Sequence, residues 1–237
     1  MRNFVLLILA FGAASEASTA ERQLSAKERH ETGTVVRDYA RCVVRLHHDQ
    51  AATMLRADSD NNDIMRRYSS VIDENCMTPG VGVSFPADLY RYSMAEALVT
   101  ADFLKGGPAS FGDRLPLAHL AFPQQAELDK ALAKAKSARQ KKKLSEEFLK
   151  DLLSGALSRY GECVVREDPA GARLWILTPP DIPEELSRVK ALLPAMSTCL
   201  EPGTTVKFPR ELLRGSVALN YYRLAHAPLK PSDGAAH

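Results

Sequence analysis

The sequence lacks the short motifs that identify most nucleotide-binding and hydrolytic sites. It contains neither a glycine-rich phosphate loop nor a dinucleotide-binding fingerprint. Ser110 lies in the run PASFG, which lacks the first glycine of a nucleophile elbow, and the pair His30-Glu31 lacks the second histidine of a zinc-binding helix. No recognised class of catalytic site is therefore indicated.

A large charge of either sign is also missing. The 237 residues include 31 Lys+Arg and 29 Asp+Glu, which gives a formal net charge of +2. So small a charge does not indicate nucleic acid or an anionic membrane as a partner. The composition, with 45% hydrophobic and 25% charged residues, is typical of a globular protein.

Basic residues are concentrated between Lys130 and Lys143. No aromatic residue is interleaved with them for stacking on bases. We predict an exposed face of a polar helix that begins near Gln124, and the alternative is a contact with an acidic surface or with lipid head groups.

Long hydrophobic runs are absent after the N-terminus. There, Arg2 precedes the apolar run 4–14, and small residues follow as far as Ala20. This order is typical of a secretory signal peptide over residues 1–20, and the alternative is an N-terminal core helix. The run is shorter than the roughly 20 residues that span a bilayer, so we predict a secreted or periplasmic protein without a transmembrane anchor after cleavage.

Cysteine is sparse, with four residues, and no two of them form a C-x-x-C pair. A zinc site is therefore disfavoured. In an oxidising compartment an even number of cysteines indicates disulfides, and four cysteines allow three pairings.

An internal repeat selects one of these pairings. The run YARCVVR at 39–45 returns as YGECVVR at 160–166, and the segments 76–86 and 199–209 share a Cys, a Pro-Gly pair and a Phe-Pro pair. A duplicated unit most simply closes its own bridge. The repeat therefore predicts the disulfides Cys42–Cys76 and Cys163–Cys199, and no free thiol is left as a nucleophile.

The apolar spacing is helical in both copies and predicts an all-α fold of two tandem, disulfide-closed helical modules with minor extended segments at 81–85 and 204–208. A third helix is predicted over 64–76, and the first helix of the second copy is predicted to restart at Ser145. The predicted divisions are a signal peptide (1–20), an N-terminal arm with a helix start (21–32), module 1 (33–105), a linker (106–123), module 2 (124–227) and a disordered tail (228–237).

After the predicted signal peptide, the sequence contains the same three features twice: a Y-x-x-C-V-V-R helix, a cysteine-Pro-Gly turn and an F-P-x-x-L-x-R helix. This layout resembles that of uncharacterised secreted proteins of alphaproteobacteria. The resemblance covers most of the mature chain. The resemblance implies a secreted protein with a fold of two helical repeats, and it implies no activity.

Four arginines recur at matching places in the two copies, as Arg45 with Arg166 and Arg91 with Arg214. They are candidates for an anion-binding site. The alternative is that they form ion pairs within a module or cap the C-termini of helices.

Weak metal candidates lie between the first two helices. His47 and His48 are adjacent, and Asp58 and Asp60 open a run that resembles the start of a calcium loop. That run lacks the required glycine and the closing glutamate, so a helix-capping loop is the plainer interpretation. Adjacent helical residues point about 100° apart, which makes a shared metal difficult for the two histidines.

Two classes of function remain. The absence of catalytic motifs favours a non-enzymatic binding or interaction protein of the cell envelope, whose partner is an envelope protein or a small ligand and which needs no cofactor. The alternative is a metal-dependent or hydrolytic envelope enzyme with an unrecognised site.

Overall fold

A computed structural model describes residues 26–57, 71–77, 87–201, 203–204 and 206–231. Within these ranges the regular structure is helical, apart from one isolated β-bridge. The all-α prediction is therefore confirmed. The eight described α-helices are α1 (Ala26–Leu46), α2 (His48–Arg56), α3 (Ala87–Phe103), α4 (Gln125–Lys134), α5 (Ala138–Glu167), α6 (Pro169–Leu177), α7 (Pro183–Thr198) and α8 (Arg210–Ala225).

The helix boundaries follow from capping side chains. Ser137 begins α5 by accepting a hydrogen bond from the backbone N–H of Gln140 at 3.2 Å. The restart predicted at Ser145 is therefore wrong, because the cap lies eight residues earlier in the chain. Asp168 ends α5 and begins α6, where its carboxylate accepts from Gly171 N–H at 2.7 Å and Pro169 occupies the first position of the helix.

Helix α8 lies at the centre of the molecule. It packs against α3, α5 and α6, while α1 and α2 cover the other side of α3. All its residues from Arg214 to Leu224 are buried, which is the pattern of a helix enclosed on every side. Trp175 of α6 is fully buried in this core.

Two glycines allow the helices around α8 to approach closely. A Cβ atom at Gly215 would lie 2.3 Å from Cβ of Tyr92 in α3, and one at Gly161 would lie 2.5 Å from Ser216 Oγ. Neither separation is tolerated between non-bonded atoms. Glycine is therefore required where α8 crosses α3 and α5.

Both predicted disulfides are present. Cys42–Cys76 joins α1 to the 3-10 turn Glu74–Cys76, and Cys163–Cys199 joins α5 to the residue that follows α7. The bridges span 34 and 36 residues of sequence. In the chain-entropy model each restricts the unfolded chain by about 3.5–4 kcal/mol.

The C-terminal end of the predicted third helix, residues 64–76, is not α-helical in the structure. Its first part lies outside the described residues, but Ile72 and Asp73 are not helical and a 3-10 turn follows. Asp73 N–H donates to Tyr39 Oη at 2.9 Å, and its carboxylate accepts from Asn75 N–H at 2.8 Å. These bonds with side chains take the place of an α-helical ladder. The predicted extended segment 81–85 lies outside the described residues.

The predicted linker and the start of the predicted tail pair with each other. Leu115 N–H donates to Pro228 O at 3.0 Å, Lys230 N–H donates to Asp113 O at 2.8 Å, and Arg114 and Leu229 form the β-bridge. Residues 228–231 are thus ordered, where the sequence predicted disorder, because their backbone groups find partners in the linker. Residues 232–237 lie outside the described residues.

A buried ion pair joins α8 to α6 and α7. The guanidinium of Arg214 donates to the carbonyl oxygens of Trp175 (2.8 Å), Ile176 (2.6 Å) and Thr178 (2.8 Å) at the end of α6. It also lies 3.3 Å from Glu185 and 3.0 Å from Glu96. The side chain of Glu185 is only 1% exposed, and its second arginine partner is Arg210, with Nη1 lying 3.3 Å from Oε2.

We expect Arg214→Met to lower the free energy of unfolding by about 3–5 kcal/mol, since it removes one of the two arginine partners of the buried Glu185 and the donor to three carbonyl oxygens. Urea unfolding followed by circular dichroism measures the change. Arg188→Met on the exposed side of α7 is the matched control and is expected to stay within about 0.5 kcal/mol of wild type. A loss below about 1 kcal/mol for Arg214→Met would contradict the assignment.

Candidate functional site

Two arginines of α5, which lie two helical turns apart, hold the linker against that helix. Arg166 donates to Phe111 O at 2.6 Å and to Leu115 O at 2.8 Å, and Arg159 donates to Leu120 O at 2.9 Å. The ring of Phe122 lies beneath the Arg159 guanidinium, with 4.1 Å from Cζ to the ring centroid. The linker therefore has a fixed position relative to α5, although it is not helical.

This arrangement places His119 of the linker between two side chains of α5. His119 Nδ1 lies 2.7 Å from Ser158 Oγ, and His119 Nε2 lies 2.5 Å from Glu162 Oε2. Ser158 and Glu162 are four residues apart and so face the same side of the helix. The three side chains form a continuous serine–histidine–glutamate chain of hydrogen bonds.

Glu162 has further partners that hold it as a carboxylate. Its Oε1 accepts from Leu117 N–H at 3.1 Å and from Arg166 Nε at 2.7 Å. Burial raises the pKa of Glu162, but the hydrogen bonds from His119, Leu117 and Arg166 outweigh burial and hold the pKa below its usual range. Glu162 is therefore ionised at neutral pH.

The ionised carboxylate determines the tautomer of the neutral imidazole. A carboxylate only accepts hydrogen bonds, so His119 Nε2 carries the hydrogen and donates it to Glu162. Nδ1 then presents a lone pair to the hydroxyl of Ser158, which donates to it. The proton of Ser158 is thus directed at a basic nitrogen.

Ser158 and His119 line a cavity of about 100 Å³ between the linker, α3, α5 and α8. Leu120 at its rim is 53% exposed, so the cavity reaches the surface. Two arginines, Arg91 and Arg223, also line the cavity, and no aspartate or glutamate is found among its described lining residues. Its described lining therefore combines two arginines with three serines.

The four arginines predicted from the repeat are not gathered in one place. Arg91 lines the cavity and donates to Ala57 O at 3.1 Å, beside the end of α2. Arg166 binds Glu162 and the linker, and Arg214 binds the end of α6 and two glutamates. Arg45 is exposed, with Nη2 lying 3.9 Å from Cys42 Sγ.

The two adjacent histidines have separate carboxylate partners. His47 Nε2 lies 2.7 Å from Asp73 Oδ2, and His48 Nε2 lies 2.8 Å from Asp102 Oδ1. Asp58 and Asp60 lie outside the described residues. In the part of the chain that the structure describes, no group of three or more His, Cys, Asp or Glu side chains is arranged to hold a metal ion.

His48 belongs to a second polar cluster, near the ends of α3 and α8. The hydrogen bond to Asp102 raises the pKa of His48, and Tyr222 Oη donates to the other oxygen of Asp102 at 3.2 Å. Burial raises the pKa of Tyr222, so its hydroxyl stays protonated. The cluster joins α2, α3 and α8.

Sequence reasoning missed Ser158, His119 and Glu162. The spacing of Ser158, Glu162 and Arg166 at intervals of four residues was the available signal, because it places three polar groups on one face of a helix. The partner histidine lies 39 residues from Ser158, in a segment without periodicity. Its proximity follows only from the folded linker.

Among the described helices, none has a stretch that is both long and apolar enough to cross a membrane. Comparison with protein-family models, with curated proteins and with solved structures gives no match for this chain. The properties of the site are therefore argued from its own residues.

The lowered pKa of Glu162 makes part of the stability depend on pH. Its contribution is fully present above the ordinary value of 4.5 and is lost as the pH falls through the lower folded value. We expect Glu162→Gln to lower the free energy of unfolding by about 1–3 kcal/mol near neutral pH, and this difference to shrink near pH 3. Urea unfolding at the two pH values measures it.

Glu167→Gln is the control, because Glu167 is an exposed carboxylate on the same helix. A difference between Glu162→Gln and wild type that stayed constant across the two pH values would show that the charge of Glu162 is not what stabilises the linker.

Proposed function

We propose that the protein is a binding protein of the cell envelope that takes a small carboxylate in the cavity between the linker and helices α3, α5 and α8. The observation that carries this proposal is the charge of the lining. Arg91 and Arg223 both line the cavity, and the described lining residues include no carboxylate.

Arginine suits a carboxylate because its planar guanidinium presents several donors with matching geometry. Arg223 is 7% exposed and donates to Ala118 O at 3.2 Å, which fixes its position beside the cavity. The hydroxyl of Ser154 on α5 lies at the same cavity and supplies a neutral donor.

The size of the cavity limits the ligand. A volume of about 100 Å³ accommodates only a few non-hydrogen atoms. The surrounding apolar groups, from Tyr92, Leu219 and Gly155, suit a short hydrocarbon chain. A monocarboxylate with two to four carbons fits this description better than an aromatic or a nucleotide ligand.

The proposed compartment is the periplasm or the cell exterior. Two disulfides are typical of an oxidising compartment, since thiols are kept reduced in the cytosol. The signal peptide predicted over residues 1–20 gives a route of export. It lies outside the described residues.

We also propose that the chain is a duplicated helical module, as the sequence repeat indicates. Each disulfide closes within one copy. Arg91 and Arg214, which align in the repeat, both donate to carbonyl oxygens at a helix end, α2 for Arg91 and α6 for Arg214. The helices that carry them, α3 and α8, pack against each other.

Thermal unfolding in sodium acetate, propionate and succinate, against sodium chloride of equal ionic strength, tests the proposed ligand class. We expect acetate or propionate to raise the midpoint with concentration, since a ligand at 100 times its Kd stabilises the fold by about 2.7 kcal/mol. Succinate is expected to have less effect because of its second charge and its length.

Arg223→Gln is expected to abolish the carboxylate-dependent rise, while the exposed Arg188→Gln keeps it. The quantity compared between variants is the increase in the unfolding midpoint on addition of carboxylate. Arg223→Gln also removes the hydrogen bond to Ala118 O, and so it changes the midpoint measured without carboxylate. Equal rises in the two variants, or no rise in the folded wild type, would exclude the site. A partner crosslinked from the envelope fraction would then favour the interaction-protein alternative.

A further inference from the structure

We propose that Ser158 is a nucleophile, activated by His119, that accepts a short acyl group from a carboxylic ester in this cavity. The nearest alternative is that the serine–histidine–glutamate chain only fastens the linker to α5. Three features of the geometry favour a reactive site over a purely structural contact between the linker and α5.

The first feature is the direction of the hydrogen bonds. Ser158 Oγ and His119 Nδ1 are 2.7 Å apart, within the distance at which a base takes a proton from a nucleophile. Glu162 holds the opposite nitrogen at 2.5 Å and fixes the ring and its tautomer. This order of nucleophile, base and orienting carboxylate is recognised by geometry and not by position in the chain.

The second feature is access. A hydroxyl that only fastened the linker would not need to face an open space. Ser158 lines a cavity that reaches the surface beside Leu120, and His119 lines it too. An ester carbonyl can therefore approach the oxygen whose proton is directed at His119.

The third feature is the presence of arginines in the same cavity. Ser158 lies within α5, where backbone N–H groups are occupied by helical hydrogen bonds and cannot form an oxyanion hole. Arg91 and Arg223 line the cavity together with Ser158. We assign their side chains the role of stabilising the negative charge of the tetrahedral intermediate.

The chemistry balances without a cofactor. Ser158 Oγ forms a bond to the ester carbonyl carbon as its proton passes to His119 Nδ1. The intermediate collapses, the bond to the alcohol oxygen breaks, and His119 returns the proton to the leaving alcohol. Water then attacks the acyl-serine with His119 as base, which releases a carboxylic acid and restores the Ser158 hydroxyl.

Ser158 and His119 are the catalytic residues in this scheme, and Glu162 is a positioning residue. The cavity of about 100 Å³ limits the acyl group to acetyl or propionyl size. The inference shares this cavity with the proposed carboxylate site, but it depends on the hydrogen-bond geometry at Ser158. Its test detects a covalent bond, so its failure leaves reversible carboxylate binding unaffected.

The experiment treats the folded protein, with both disulfides closed, with a fluorophosphonate probe and locates the adduct by peptide mass spectrometry. We expect labelling at Ser158 and slow hydrolysis of p-nitrophenyl acetate. Ser158→Ala is expected to lose both. Ser187→Ala is the matched control, because Ser187 is an exposed serine on α7 that does not line the cavity, and it is expected to keep both.

His119→Ala is expected to reduce the hydrolysis rate by about 100-fold or more, since general-base catalysis contributes on that scale. Glu162→Gln keeps the size of the side chain but can donate to His119 Nε2, which favours the wrong tautomer. We expect it to lower kcat with KM unchanged, whereas a loosened linker would change KM as well.

Absence of label at Ser158 in protein that circular dichroism shows to be folded would overturn the proposal. Equal labelling of wild type and Ser158→Ala would do the same. An adduct at Ser158 whose formation is unaffected by Glu162→Gln would overturn the role given to Glu162.

Discussion

The enclosure of α8 is the constraint on which the other features of this fold depend. A helix buried on every side requires partners for most of its polar groups, because an unpaired buried polar group costs about 1–3 kcal/mol. Among the described side chains of α8, Asn220 Oδ1 and Tyr221 Oη are the exceptions. Arg214 meets this requirement with carbonyls and two carboxylates, and Ser216 Oγ donates to Leu157 O at 2.7 Å. Asn220 Nδ2 donates to Ser158 O at 2.9 Å, which ties the central helix to the residue beside the cavity. The polar groups of α8 thus orient α5 and α6 around it.

The same requirement explains the linker. Residues 111–122 have no periodic pattern, yet Phe111 is fully buried and packs edge-on against Tyr221 of α8, with ring centroids 5.3 Å apart. The carbonyl groups that accompany this burial need donors, and the arginines of α5 supply them. These hydrogen bonds between the arginines and the linker carbonyls also determine the position of His119. The candidate site therefore arises where a non-helical segment is stabilised by a helix.

Part of the architecture could be predicted from the repeat in the sequence. Two copies of a cysteine-containing helix selected one disulfide pairing out of three, and the helical spacing around Val43 and Val164 identified the buried faces. The candidate site could not be predicted in the same way. Ser158 and His119 are far apart in the sequence, and neither residue type is unusual in a loop or on a helix. Their contact depends on the path of the linker, which is set by tertiary hydrogen bonds and not by local propensity.

The position of α8 along the chain has a consequence for how the protein folds. The central helix, which packs against α2, α3, α5 and α6, follows the other seven described helices in the sequence. Helices α1 to α3 contact one another, and the first disulfide also lies in this N-terminal part of the chain. During synthesis the contacts around α8 can therefore form only after all seven of the other described helices have been made.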